Sequence, residues 1–230
     1  MLMNKLTHDF SQNDALNEFS GYALKNYPGL REAIMNKLIH AFSQNDALTL
    51  AKSLLGKILV HESQDGLTSG IIAETEAYIG PEDKAAHTFS SKRTPRTEIV
   101  FHEGGHAYVY LVYGLHCCFN ITANSAGKPE CVLVRALQPL DGLRLMQTRR
   151  KTSRLLNLCS GPGKLCSAMG ITRELYGEDL CGEKLYILDD GLSDVKIAAS
   201  ARIGIDYAEE YRKKLWRFFI AGNEYVSRAK

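Results

Sequence analysis

Two stretches of this sequence place side chains at spacings that could do chemistry. The first is Glu74 to His87, ETEAYIGPEDKAAH. In a strand, period two puts Glu74, Glu76 and Tyr78 on one face and Thr75 and Ala77 on the other. Two carboxylates beside an aromatic, at the end of an apolar strand, are costly to bury unless they are hydrogen-bonded or work as acid and base. The plainer alternative is an exposed acid pair on an edge strand. The second stretch, FHEGGH from Phe101 to His106, matches the HExxH pattern of zinc hydrolases. That chemistry needs a helix, which would bring both imidazoles to one metal. Gly104 and Gly105 together oppose a helix by roughly 2 kcal/mol. The following residues, Ala107 to Tyr113, alternate like a strand and end at Gly114. HEGGH therefore reads as a glycine turn feeding a strand, with His102 and His106 as ordinary loop residues.

Composition sets outer bounds. With 230 residues, 45% of them hydrophobic, the chain can bury a sizeable core, with one domain as the expectation. Its 6 cysteines include the neighbours Cys117 and Cys118 but form no CxxC pair, so they read as reduced, partly buried thiols of a cytosolic protein. No signal peptide opens the chain, and no apolar run reaches the roughly 18 residues of a membrane span, so an intracellular, soluble protein is expected. A net charge of +2 names no partner. The positive residues are clustered, however: Arg144, Arg149, Arg150, Lys151 and Arg154 in one group, Lys92, Arg93 and Arg96 in another. Such groups suit a phosphate backbone and equally a solvated helix face.

The elements that must position these residues follow from periodicity. NKLTHDFSQNDAL at 4 to 16 returns as NKLIHAFSQNDAL at 36 to 48 with two differences, a local duplication whose first copy is expected to be peripheral. The second copy leads into LTLAKSLLG, a short helix closed by Gly56. KILVHES and GIIAETEAY make a hairpin about Asp65 and Gly66, and a long loop runs from Gly80 to about Arg96. Residues 107 to 123 form a second hairpin, CVLVRAL a strand, and DGLRLMQTRRK a basic amphipathic helix. SGPGKLCSAMG is a turn and helix, with Pro162 in the first turn and Gly170 at the end. It lacks the spacing of a phosphate-binding P-loop. KLYILDD, ARIGID and WRFFIAG supply further strands, for a mixed α+β domain with mainly antiparallel pairing.

ETEAYIGPEDKAAH, the hairpin YVYLVYG with Asn120, VLVRALQP and SGPGKLC together resemble the alkyladenine DNA glycosylases, also called methylpurine or 3-methyladenine DNA glycosylases. The resemblance runs from about Thr49 to Arg228. It divides the chain into an N-terminal segment, 1–48, and a glycosylase domain, 49–230. It implies a single α+β domain with a mainly antiparallel curved sheet, a protruding β-hairpin and surrounding helices, acting as a monomer on double-stranded DNA, with no metal or organic cofactor. Such enzymes reach the bond between a damaged purine and its sugar by flipping the nucleotide into a pocket. By resemblance Glu76 is the carboxylate that activates water, and Glu74 is a supporting group. Tyr78, His87 and Tyr110 are walls that sandwich the base, and Asn120 polices the purine 2-position. Arg135 borders the site, and Tyr113 enters the minor groove. Expected substrates are 3-methyladenine, 7-methylguanine, hypoxanthine and ethenoadenine.

Two departures bear on base preference: the loop ANSAGKPE is longer than in some relatives, and His116-Cys117-Cys118 follow the wedge turn where members vary. Two other classes remain open at this level. A zinc hydrolase would use HEGGH, and an inactive binder of damaged DNA would keep Tyr113 and the basic clusters without a working Glu76.

Overall fold

A computed structural model describes residues 42–189 and 195–227. The first copy of the duplicated stretch, and residues 36 to 41 of the second, lie outside the described residues. The rest of the second copy enters the core: Phe42 has no exposed surface and packs with Ala47, Leu50 and Leu54. Helix α1 (Ala47–Ser53) starts where Asp46 accepts from Thr49 N at 2.7 Å, a cap worth about 1 kcal/mol.

The architecture is α+β in a single domain, an eight-stranded antiparallel sheet that curls into a half-barrel with few helices. Strand β1 (Ile58–Ser63) and the long β2 (Gly66–Ile79) form the first hairpin. β3 (Ala107–Val112) and β4 (His116–Ala123) form the second, and β5 (Glu130–Pro139) lies between β4 and β2. Helices α2 (Leu143–Arg150) and α3 (Pro162–Met169) follow, then β6 (Leu185–Leu188), β7 (Ile197–Ser200) and β8 (Arg217–Ile220). Pro162 opens α3, and Gly170 closes it at φ +72°, a left-handed position that glycine adopts without a steric penalty.

Alternation along the strands separates two faces. Thr75 and Ala77 of β2, Ala107 and Val109 of β3, Phe119 and Ile121 of β4, and Val132 and Val134 of β5 face the core under α1 and α3; Thr75 Oγ1 donates to Ala51 O at 2.8 Å. The intervening residues, Glu74, Glu76, Tyr78, Tyr108, Tyr110, Asn120 and Arg135, share the opposite face. Segments 80–106 and 201–216, loops with short 3-10 turns, cover that face in place of α-helices.

Two expectations change. ARIGID is not a strand; the strand lies just before it, at Ile197–Ser200. The Ile203 N–H is spent on the Glu76 carboxylate and Gly204 turns the chain at φ +76°, so neither residue continues a ladder. The basic helix also spends part of its charge internally. Arg149 donates to Ala168 O, Ser63 Oγ and Asp65, and Arg150 to Leu158 O, so both bind α3 and its neighbours rather than forming a free basic face.

HEGGH forms the expected turn. His102 meets Glu98 at 3.1 Å, while His106 Nδ1 lies 2.9 Å from Glu103 O, and Gly105 has φ +106°. Both glycines are strapped to the sheet edge, Gly104 N to Asn124 O and Gly105 N to Thr122 O, each at 2.9 Å. A Cβ on Gly104 would collide with the backbone carbonyl of Phe42, so the glycines serve close packing. Gly104→Ala should therefore cost about 1–3 kcal/mol in urea unfolding, the usual range for overpacking. His102→Ala, on an exposed side chain, should stay within about 0.5 kcal/mol of the parent. Equal losses in the two variants would show that the histidines carry the turn.

Candidate active site

Strand β2 is central: β5 pairs along one edge, while β1 and then β8 share the other. Near the handover from β1 to β8 the register to β5 slips. Ile72 faces Leu137, Glu74 faces Ala136 and Thr75 faces Val134, so Ala73 and Arg135 are each skipped. Glu74 and Glu76 both have 0% exposure, which overturns the alternative of an exposed edge pair. Glu74 Oε1 accepts from Arg135 Nε (2.8 Å), Arg217 Nε (2.7 Å) and Ser227 Oγ (2.8 Å), and its Oε2 from Ser227 N (2.6 Å). Glu76 Oε1 accepts from Ile203 N (2.8 Å), and its Oε2 from the Tyr78 hydroxyl (2.9 Å). Arg135 Nη1 lies 3.3 Å from that same Oε2. Arg135 thus bridges both acids. Each ion here would cost several kcal/mol to bury alone, and two carboxylates against two guanidiniums leave the cluster neutral.

Beside this cluster lies a cavity of about 290 Å³, near the lower end for ligand pockets. Tyr78, His87, Tyr110, Tyr113, Asn120 and Arg135 all line it. Glu76 sits immediately behind that lining, bonded to three residues that do face the cavity: Tyr78, Arg135 and Ile203. His87 and Tyr110 meet edge to face at 4.6 Å and make one wall, and Tyr108 backs Tyr110 at 5.1 Å. His87 Nδ1 lies 2.8 Å from the Tyr108 hydroxyl. Burial, with Arg96 and Lys92 nearby, holds the His87 pKa down to about 4, so the ring is neutral at pH 7. Burial raises the hydroxyl pKa values of Tyr78, Tyr108 and Tyr110, keeping these phenols protonated. Asn120, 2% exposed, donates from Nδ2 to Tyr108 O at 3.1 Å.

Several participants escaped the sequence reading. Arg202, with no side-chain exposure, grips Asp83 through Nη1 and Nη2 (2.5 and 2.8 Å) and donates to Ala77 O. Its guanidinium stands 4.6 Å from the Tyr78 ring centre and 5.0 Å from that of Trp216, behind the cavity wall. Asp83 lies inside the motif ETEAYIGPEDKAAH, so its presence was visible; its partner, 119 residues away, was not. Arg217 and Ser227 carry no local signal at all. A second cavity of about 480 Å³ shares Ala85, Ala86, His87 and Tyr207 with the first, and Lys84, Lys92, Thr94 and Arg96 line it. Within the second basic cluster Arg93 is bound to Glu98, leaving Lys92 and Arg96 as the two members that face this cavity.

The tip of the β3–β4 hairpin is solvent-borne. Tyr113 is 91% exposed and Leu115 78%, on a turn closed by Leu115 N donating to Val112 O at 3.1 Å. Tyr113 and Gly114 both have positive φ, +52° and +69°, in the three-residue loop between the paired Val112 and His116. A left-handed tyrosine costs roughly 1–2 kcal/mol, and among the described residues little packing compensates a side chain this exposed.

Residues 41–224 match the family model described as methylpurine-DNA glycosylase (MPG). Three similar proteins carry the name "Putative 3-methyladenine DNA glycosylase". One, from Desulfitobacterium hafniense (strain Y51), is 46% identical over 188 residues, covering 78% of this chain and 93% of the relative. Another, from Clostridium acetobutylicum, is 48% identical over 188 residues, covering 78% and 92%. The third, from Bacillus cereus (strain G9842), is 48% identical over 192 residues, covering 79% and 94%.

The His87 environment makes a pH prediction. The imidazole titrates near 6.5 in the unfolded chain and at about 4 in the folded one, so between those values the unfolded state binds the extra proton. His87 therefore costs stability as pH falls from about 6.5 toward 4 and has no such effect above that window. His87→Gln should flatten the fall in unfolding free energy there by up to about 1.4 kcal/mol per pH unit. Parallel pH profiles for the two proteins would mean that the folded protein protonates His87 normally.

Proposed function

The chain belongs to the methylpurine-DNA glycosylase family and is a DNA glycosylase, a hydrolase of DNA repair. From that premise we propose that it flips damaged purines out of duplex DNA and cleaves their N-glycosidic bond with a water activated by Glu76. The observation that carries this reading is the placement of a wholly buried carboxylate behind an aromatic cavity, bonded to three of its lining residues. A flipped purine enters between Tyr78 and the His87–Tyr110 wall. Stacking worth about 1–3 kcal/mol per base offsets an unstacking cost of a few kcal/mol. Water reaches Glu76 by replacing the Tyr78 hydroxyl at Oε2. As the water oxygen attacks C1′, Glu76 takes its proton, and the damaged base leaves with the electrons of the C1′–N bond. The carboxylate charge also favours the oxocarbenium-like transition state.

Among the described residues no lysine lines the base cavity, which supports plain hydrolysis over Schiff-base chemistry. The proposed step uses a carboxylate and water alone. Lys92 and Arg96 supply positive potential for the phosphodiester that must approach with the flipped nucleotide. Tyr113 fills the space the nucleotide vacates, acting as a wedge in the minor groove. The substrate class is 3-methyladenine, 7-methylguanine, hypoxanthine and ethenoadenine, processed by a monomer, with Asn120 screening the purine 2-position.

Glu76→Gln keeps the shape and removes the base. Single-turnover excision from a lesion duplex should fall by about 10²–10⁴, or more if the charge stabilises the cation, while binding to that duplex persists. Near-normal excision would move the role elsewhere. Tyr113→Gly separates wedge from fold. Glycine accepts the left-handed turn, so the melting temperature should not drop, yet lesion-duplex affinity should weaken roughly 5- to 100-fold, the equivalent of about 1–3 kcal/mol. A lower melting temperature with unchanged affinity would remove Tyr113 from the site.

A further inference from the structure

Glu74 is the most heavily bonded carboxylate of the site, and two of its four donors come from one residue at the far end of the described chain. Ser227 donates its backbone N–H to Oε2 at 2.6 Å and its hydroxyl to Oε1 at 2.8 Å, across 153 residues of sequence. A two-point hold of this kind fixes the plane of the carboxylate, which a single donor cannot do. The hold is itself braced. Arg217 donates from Nε to Glu74 Oε1 (2.7 Å), from Nη2 to Ser227 O (2.9 Å) and from Nη1 to Ser200 Oγ (3.0 Å). Ser227 is 7% exposed and Arg217 6%, so solvent cannot easily substitute for these bonds.

The orientation of Glu74 decides what Arg135 does. Glu74 Oε1 takes the Arg135 Nε bond at 2.8 Å, and Nη1 stands 3.3 Å from Glu76. The two carboxylates compete for one guanidinium, and Glu74 holds it the closer. We propose that Ser227 is a positioning residue for the glycosylase reaction: by locking Glu74 it keeps Arg135 from closing onto Glu76. This rests on the reading of Glu76 as the base. Were Glu74 free to tilt, Arg135 would move toward Glu76 and draw on the lone pair that must receive the proton of the attacking water. The aromatic walls of the base cavity would keep their places, because neither Ser227 nor Glu74 lines it and Arg135, which does, would shift only toward the carboxylate behind the lining. The C-terminal segment thus contributes to the chemical step while touching neither base nor sugar.

The test compares Ser227→Ala with Ser227→Thr in the full-length chain, reading single-turnover excision of hypoxanthine from a duplex and the affinity for that duplex. Ser227→Ala should lower the excision rate roughly ten- to a hundredfold, the scale on which a displacement of about 1 Å acts, with affinity unchanged within about twofold. Ser227→Thr, which keeps both donors, should recover most of the rate. A Ser227→Ala rate equal to the parent's overturns the inference, and so does a parallel fall in rate and affinity, which would mark a merely structural staple. Should Ser227→Ala not fold, Ser227→Cys, with a weaker donor, must fall between parent and inactive; a parental rate overturns the proposal. Glu76→Gln is assayed alongside. An inactive parent or an active Glu76→Gln sinks the reading of the site, whereas an active parent, an inactive Glu76→Gln and an unaffected Ser227→Ala sink this inference alone.

Discussion

A carboxylate moved out of water without a partner costs several kcal/mol, and β2 buries two of them, Glu74 and Glu76, with no exposed surface at either. Much of the surrounding structure meets that cost. Arg135 is supplied by β5 at the point where the strand register slips and leaves it opposite no residue of β2. Arg217 arrives on β8, which joins β2 along Glu74–Glu76 and nowhere else. Ile203 donates from a loop, and Ser227 from the C-terminal end. A third pair, Arg202 with Asp83, sits behind Tyr78 and ties the loop after β2 to the loop before β8. Removing one partner from such a set leaves an uncompensated buried charge, so these contacts stand or fall together.

The sheet can carry this burden because its two faces have different tasks. One face is conventional: aliphatic residues packed under α1 and α3, with Phe42 and Phe119 among the largest fully buried side chains. The other is covered by loops and short 3-10 turns rather than α-helices, which leaves room for a cavity. Tyr78, Tyr108 and Tyr110 can stand on that face because strand geometry holds their rings roughly perpendicular to the sheet. The hydroxyls of the first two find partners here: Tyr78 donates to Glu76, and Tyr108 meets His87. The neutral His87 ring follows from the same arrangement, since burial and the cations Lys92 and Arg96 all oppose its protonation. An aromatic-lined cavity with a neutral imidazole, beside a basic one, is the arrangement that the proposed purine and its phosphodiester call for.

Tyr113 reverses the usual economy of a fold. A bulky residue with positive φ, 91% exposed, gains little from its own domain and costs backbone strain. Strain of that kind, at the tip of a hairpin bordering the cavity, is consistent with a side chain whose partner is another molecule. Leu115 beside it is also exposed, so the tip presents an apolar edge to whatever approaches.

Local pattern in the sequence determined the strand faces, the two hairpins, the ends of α3 and the glycine turn at HEGGH. Each follows from period-two alternation or from a residue such as Gly170 whose backbone preference acts within a few positions. Alternation likewise placed Glu74, Glu76 and Tyr78 on one side, and resemblance to a family named the cavity residues. Local pattern could not tell that the acids are buried, because burial depends on whether β2 is an edge or a central strand, and that is set by β5 and β8, far away in the chain. Nor could it find Arg202, Arg217 or Ser227. Charge balance inside a protein is a condition on three-dimensional neighbours, and these three lie between 119 and 153 residues from the carboxylates they satisfy. It also misread ARIGID, whose apolar alternation invites a strand, because the Ile203 N–H goes to the distant Glu76 carboxylate instead of a neighbouring strand and Gly204 turns the chain. Propensity acts along the backbone, whereas the pairing of buried charges acts through space, and only tertiary structure decides which charges meet.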